Sequence, residues 1–181
     1  MPLPFQTVRL QLRPFQDDDL EPFLAYRSDP LVARYQGWEA PYPREKAFAF
    51  VEAMKNKQPG RQGDWYQIMV TLKPNRQVIG DVAFRILAED ILQAEIAFTF
   101  VRSFWGQGYA TEAAGRLLDY LFGELHLHRV RAICDVENLA SAHVLERLGM
   151  RREGEFLENI WFKGKWGSEF LYAILDREWQ I

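Results

Sequence analysis

Apolar residues recur along this chain with two periods, and the switches between them divide it into elements. Val8, Leu10 and Leu12 alternate with Arg9, Gln11 and Arg13, the two-residue period of a strand with one wet face. Asp17, Asp18 and Asp19 offer N-caps for a helix carrying Leu20, Phe23 and Leu24, with Pro22 in its first turn. Ser28-Asp29-Pro30 breaks that helix, and a second is predicted over 44–56. Three alternating runs follow at 65–72, 77–87 and 93–101, separated by turn residues, and read as an antiparallel meander. Ala110, Ala113, Ala114, Leu117, Leu118 and Leu121 then repeat at helical spacing. A strand at 129–135 and a shorter helix ending at Gly149 come next. Two last strands, near 151–162 and 166–175, are joined by Lys163-Gly164-Lys165 as a hairpin turn.

The predicted order is βααβββαβαββ. A single helix links strands 93–101 and 129–135, which fits a right-handed parallel crossover inside a mostly antiparallel sheet. The expectation is therefore an α/β fold: a mixed sheet with flanking helices and a parallel central pair. No composition shift interrupts the chain, so residues 1–181 read as one domain.

Composition narrows the partners. The 181 residues are 48% hydrophobic and 26% charged, with a net charge of −3, an ordinary globular profile. No basic block argues for nucleic acid or an anionic membrane. No apolar run has membrane-spanning length, and no signal-peptide pattern is seen. One cysteine, Cys134, forbids an internal disulfide and points to a reducing, cytoplasmic setting.

The densest chemical signal is Trp105-Gly106-Gln107-Gly108-Tyr109-Ala110-Thr111, set between a strand and a helix. Helix N-termini leave backbone N–H groups unpaired, and glycines let a ligand approach them. Such a turn suits a phosphate or pyrophosphate. It is not a P-loop, which needs Gly-Lys-Ser/Thr, because Tyr109 follows Gly108. A dinucleotide fingerprint needs Gly or Ala where Thr111 stands, and normally opens its domain. A tight turn with no ligand is the plainer alternative.

A second motif, Asn138-Leu139-Ala140-Ser141-Ala142-His143-Val144-Leu145-Glu146-Arg147-Leu148-Gly149-Met150, starts the later helix. Taken with Gly108-x-Ala110, with Arg9-Leu10-Gln11-Leu12-Arg13-Pro14, with Ile79-Gly80 and with the tail from Glu169 to Trp179, it resembles the GCN5-related N-acetyltransferases (GNAT), specifically their RimJ/RimL-like, ribosomal-protein alanine acetyltransferase branch. The resemblance runs over nearly the whole chain. It implies acetyl transfer from acetyl-coenzyme A to a primary amine, by direct attack in a ternary complex and without a metal. It implies the pyrophosphate over Gly106, Gln107, Gly108, Tyr109, Ala110 and Thr111, with the pantetheine arm between Val101 and Asn138. Two positions depart from the pattern. Trp105 stands where Gln or Arg is common, and Leu145 where many relatives carry a tyrosine that protonates the departing thiolate. Ser141 is the substitute that the branch suggests. A non-catalytic acyl-coenzyme A-binding or protein-interaction module is the rival reading, since fold does not fix activity.

Proton transfer needs further residues. Glu95 is the candidate base, on a strand face shared with Ala97, Thr99 and Val101; the alternative is an ion-paired strand glutamate. With Asn138 as N-cap, Ser141 falls in the first helical turn, where it either serves the helix start or faces the sulfur. Asp81 is a second acid, or part of a bulge with Gly80. Tyr35, Trp38 and Tyr42 line the acceptor side in the resemblance, and are otherwise a lid over the core. The acceptor amine, possible forms of which include a protein N-terminus, a polyamine or another small amine, is not readable from the residues.

Overall fold

The computed structural model describes residues 4–179. Its elements run β1 (Phe5–Gln6), β2 (Leu10–Arg13), α1 (Leu20–Arg27), α2 (Pro30–Ala33), α3 (Arg44–Lys55), β3 (Tyr66–Leu72), β4 (Val78–Ile86), β5 (Gln93–Phe100), α4 (Tyr109–Gly123), β6 (Arg129–Asp135), α5 (Leu139–Arg147), β7 (Arg151–Phe162) and β8 (Lys165–Leu175). One eight-stranded sheet has the order β1-β2-β3-β4-β5-β6-β8-β7. Neighbours are antiparallel except β5 and β6, which are parallel. The mixed α/β sheet with a parallel central pair is the one that the periodicities predict.

The two-residue period assigns the faces. Leu10, Leu12, Ile68, Val70, Val82, Phe84, Ile96 and Val130 point to one side, where Leu117, Leu118 and Leu121 of α4 and Leu145 of α5 cover them. Met69 points to the other, against Phe15, Phe23 and Tyr26 and against Ala47, Val51 and Met54 of α3. Truncating a buried leucine of α4 to alanine would cost about 2–5 kcal/mol, so this stripe is a principal anchor of the fold.

Two predicted details change. Val8 is 91% exposed and lies outside any strand. Thr7 closes a turn onto Leu10 there, its N–H donating to the Leu10 carbonyl at 3.0 Å, so the alternation starts at Leu10. The segment after Pro30, read as a break, holds the short α2, whose first turn is capped by Asp29 accepting from the Leu31 N–H at 2.9 Å.

Two irregularities make room for a site. On β4, Val70 faces Gly80 while Thr71 faces Val78, so Ile79 is an extra residue and the strand bulges. Gly80 then lies so close to β5 that a Cβ would meet the Thr99 carbonyl at 2.3 Å and the Phe100 Cα at 2.9 Å. The second is the brevity of the parallel pairing. Gln93, Ala94 and Glu95 pair with Arg129, Val130 and Arg131, after which the strands part. Beyond that rung, β5 is paired only with β4, and β6 only with β8.

Gly80→Ala is expected to be destabilising, because the clash is with backbone and cannot be relieved by a rotamer. Overpacking of this kind costs about 1–3 kcal/mol, and each kcal/mol lowers Tm by about 2–4 °C at this size. A thermal melt with an unchanged Tm would refute the close approach.

Candidate active site

The chain leaves β5 through a short 3₁₀ turn, Arg102–Phe104, and reaches α4 by the glycine segment. The Trp105 indole N–H donates to the Phe100 carbonyl at 2.7 Å, and the Gln107 amide donates to the Ser103 carbonyl at 2.9 Å. Gly106 and Gly108 have φ of 73° and 79°, values that favour glycine, and Gly108 is the N-cap of α4. The first helical bond runs from the Glu112 N–H to the Gly108 carbonyl at 3.0 Å. The N–H groups of Tyr109, Ala110 and Thr111 therefore have no acceptor within the helix. Thr111 adds a buried hydroxyl with no hydrogen-bond partner.

Arg9 of the N-terminal segment braces this turn. Its guanidinium donates to the Gln107 carbonyl at 3.0 Å and to Glu112 at 2.5 Å, and lies 4.2 Å from the Tyr109 ring centre. The only sequence cue for Arg9 is its place on the polar face of the first alternating run.

Across the gap, the side chain of Asn138 caps α5 by accepting from the Ser141 N–H at 3.2 Å. The Ser141 hydroxyl makes no hydrogen bond to any described residue. Between the two helix starts lies a cleft of about 520 Å³. Phe98, Thr99 and Phe100 of β5, the glycine segment, and Asn138 to Ser141 line it, so the two sequence motifs meet. Tyr35 closes it from above, its hydroxyl donating to the Glu137 carbonyl at 3.3 Å. Lys163, at the tip of the β7–β8 hairpin, holds this roof by donating to the carbonyls of Ala33 and Trp38, both at 2.7 Å.

A second cavity of about 580 Å³ abuts the first. Pro22, Ala25, Tyr26, Asp29, Val78, Val101 and Arg102 line it, and Val32 borders both spaces. Its carboxylate, Asp29, is paired with Arg102 at 3.0 Å. Behind Tyr26 lies Asp81, 1% exposed, which accepts from the Tyr26 hydroxyl at 2.6 Å. Burial raises the Asp81 carboxyl above its ordinary range, and the nearby Arg27 cation and the Tyr26 hydrogen bond only partly oppose this.

Several sequence candidates lie elsewhere. Glu95 is 8% exposed and does share a face with Thr99, but it lines neither cavity. Its carboxylate accepts from Arg85 at 3.1 Å and from Arg131 at 3.0 Å, on the last rung where β5 and β6 are paired. Four residues of strand, about 13 Å, separate it from Thr99 at the cleft. Val101 lines the second cavity and not the cleft, and its N–H is already donated to the bulged Ile79 carbonyl at 2.9 Å. Trp38 and Tyr42 line neither cavity. They belong to an aromatic cage around the buried Arg27, whose guanidinium carbon lies 3.9 Å from the Trp38 ring centre, 4.3 Å from Phe23, 4.9 Å from Phe50 and 5.4 Å from Tyr42. Of the aromatic set, Tyr35 alone reaches a cavity, and it is the cleft.

Covalent catalysis has little support. Burial pushes the Cys134 thiol up to about 11, which keeps it protonated at neutral pH. Leu145 is 1% exposed and packs in the core, so the helix carries no acid at that position. No group of three or more His, Cys, Asp or Glu among the described residues could hold a metal. No helix among them is long and apolar enough to cross a membrane.

The splayed parallel pair, with a glycine turn opening a helix beside the splay, leaves a cleft with free backbone donors at one end, a setting suited to a phosphate-bearing cofactor. The Acetyltransferase (GNAT) domain family matches residues 9–151, and the chain belongs to it. It is 36% identical over 174 residues to "Uncharacterized N-acetyltransferase YnaD" of Bacillus subtilis (strain 168), covering 96% of this chain and 97% of that one. It is 26% identical over 178 residues to the spermidine N(1)-acetyltransferase of Escherichia coli (strain K12), covering 94% and 88%. Among solved structures, a GNAT-family acetyltransferase from Bacillus anthracis superposes with a TM-score of 0.86 at 33% identity, over 97% of this chain and all of that one. The protein is an N-acetyltransferase that uses acetyl-coenzyme A.

Trp38→Ala is expected to act on stability. It removes an indole N–H that donates to the Arg27 carbonyl at 3.0 Å and one wall of a buried cation's cage. Trp38 is only partly buried, so the loss should fall below the ~3–5 kcal/mol of a core Trp truncation, and chemical denaturation should show it with little change in the KM of the folded enzyme. A raised acceptor KM at wild-type stability would return Trp38 to the acceptor site.

Proposed function

We propose that this enzyme acetylates the α-amine of a protein or peptide N-terminus, as in the RimJ/RimL-like branch. The carrying observation is the meeting of two cavities at Val32, one suited to the donor and one to the acceptor. Acetyl-coenzyme A supplies the thioester and the thiolate that leaves it. Its pyrophosphate is assigned to the segment Gly106, Gln107, Gly108, Tyr109, Ala110 and Thr111. Unpaired N–H groups and the orphaned Thr111 hydroxyl are the donors that a phosphate needs there. Ser141 is assigned the proton that the departing sulfur takes up, because its hydroxyl is free and faces the cleft. Asn138 sets Ser141 in place through the cap. Tyr35 covers the thioester end. Glu95 is assigned to fastening β5 to β6 and not to proton transfer, because one oxygen already serves two guanidinium groups.

The acceptor cavity argues against a polyamine. A polycation needs several free carboxylates, whereas the lining offers Asp29, already paired with Arg102, amid Pro22, Ala25, Val32, Val78 and Val101. That mixture fits one amine on an apolar or peptide body, with Arg102 placed for a carbonyl or carboxylate. An α-amine titrates near ~7.7–8.0, against ~10.4 for a lysine-like amine, and so demands less of the enzyme's base.

Three measurements test the reading. Gly108→Glu should abolish acetyl-coenzyme A binding by placing bulk and charge at the turn, and Thr111→Val should weaken it about tenfold or more, the worth of one hydrogen bond to a charged group. Unchanged affinity in both folded variants would sink the turn assignment. In an acceptor panel scored by free thiol release, peptides with a free N-terminus should exceed spermidine by at least about tenfold in kcat/KM. Ser141→Ala should lower kcat about 10²-fold with the acetyl-coenzyme A Kd intact. A preference for spermidine would overturn the acceptor, and wild-type turnover in Ser141→Ala the proton donor.

A further inference from the structure

A buried carboxylate behind the acceptor cavity, close to the Arg27 cation, has one oxygen that no hydrogen bond uses. Asp81 sits on β4 directly opposite Thr99 of β5, so their side chains share a face. Thr99 lines the donor cleft, and Tyr26, to which Asp81 is hydrogen-bonded, lines the acceptor cavity. Asp81 is therefore next to one lining residue of each space, Tyr26 and Thr99. Its Oδ2 accepts from the Tyr26 hydroxyl at 2.6 Å, while its Oδ1 is buried with no partner. A side chain that only knitted α1 to the sheet would be expected to use both oxygens, since a buried unsatisfied acceptor costs about 1–3 kcal/mol.

We infer that Asp81 is the terminal proton acceptor of the reaction and that Tyr26 passes the proton to it. The inference rests on the transferase reading and supplies the base that Glu95 does not. The acceptor ammonium, in the second cavity, donates an N–H to the Tyr26 oxygen. As that proton moves to Tyr26, the phenol's own proton moves along the existing hydrogen bond to Asp81 Oδ2. The ammonium and carboxylate become a neutral amine and a neutral carboxylic acid, and Tyr26 is unchanged. The amine then attacks the thioester carbonyl. The C–N bond forms and the C–S bond breaks, the thiolate takes the Ser141 proton and leaves as a thiol, and the second nitrogen proton restores the serine hydroxyl. Asp81 later returns its proton to solvent by the same route. The amine must therefore arrive uncrowded on the Tyr26 side, which a slender primary amine does and a branched secondary amine does not.

The surroundings suit a base. Tyr26 and Arg27 of α1 are the titratable or charged groups acting on Asp81, and Met69 and Thr99 flank it from β3 and β5. Desolvation moves its carboxyl toward neutral pH, where proton uptake is most effective. Burial, together with the Asp81 charge, pushes the Tyr26 phenol well up, so it relays a proton without resting as a phenolate.

The test compares wild type, Asp81→Asn and Tyr26→Phe with acetyl-coenzyme A and a peptide bearing a free N-terminus, from about pH 6 to pH 10, across the titration of the amine. At neutral pH both variants should lose about 10²-fold or more in kcat, with the acetyl-coenzyme A Kd unchanged. The loss should shrink as rising pH strips the amine of its own proton. Losses equal at every pH, or confined to Kd, would assign the pair a structural role and overturn the inference. Should both variants fail to fold, the carbon-13 carboxyl shift of Asp81 in the wild-type protein decides. A midpoint that coincides with the acidic limb of the wild-type kcat/KM profile supports the base, and one that does not overturns it. If wild type turns over and the variants match it, the inference alone fails. If wild type acetylates no amine, the acceptor reading falls and takes the inference with it.

Discussion

Everything in this site depends on how soon β5 and β6 part. A parallel ladder satisfies both backbones only while it lasts, and here it lasts three residue pairs. The groups released beyond that rung must find partners or meet a ligand. Most are claimed. The bulge on β4 sends the Ile79 carbonyl to the Val101 N–H, and the Trp105 indole takes the Phe100 carbonyl. Trp105 thus does a side chain's work on the strand end while leaving the N–H groups of the turn clear. Arg131 holds Glu95 at the last rung, so the point of divergence is clamped from both strands.

Two carboxylates on one face of the sheet illustrate how neighbours decide roles. Glu95 and Asp81 are both nearly buried, and lie on adjacent strands. Glu95 meets two guanidinium groups and becomes a fastener. Asp81 meets one hydroxyl, with its other oxygen unpaired, near an Arg27 whose guanidinium is packed among four aromatic rings. Environments that separate two acids in this way are how one fold provides both a strut and a base.

The parts of the molecule that follow from local physics were legible in the sequence. Periodicity located β3 to β6 and α4 to within a residue or two, Asn138 proved to be the cap of α5, and Lys163 and Gly164, with φ of 49° and 83°, turn the last hairpin. Both motifs that face the cleft were visible because each is a helix start, and a helix start has a local signature. What the sequence leaves open depends on contacts distant in the chain. The aromatic character of Trp38 and Tyr42 could not tell a ligand wall from a cage for Arg27, since nothing nearby marks Arg27 as buried. The pairing of Tyr26 with Asp81 spans 55 positions. Glu95 was put on its correct face, yet only the register shows that the face changes neighbours between residues 95 and 99. Arg9 lies 98 positions from the carbonyl it braces and so has no local sign of its role.

The bond from Lys163 to the roof of the cleft has a consequence for biosynthesis. The floor, made from β4, β5 and the start of α4, is complete in the first two-thirds of the chain. The roof at residues 33–38 is among the earliest parts made, but its two carbonyls wait for an ammonium group that lies more than a hundred residues downstream. Domains fold as units, so the roof stays untethered until the hairpin that carries Lys163 has been made. β8 must also slot between β6 and β7 before the hairpin tip can reach the roof. A chain interrupted before residue 163 would therefore lack both of these hydrogen bonds to the roof. The clasp over the reaction chamber is thus among the last of its parts to be synthesised.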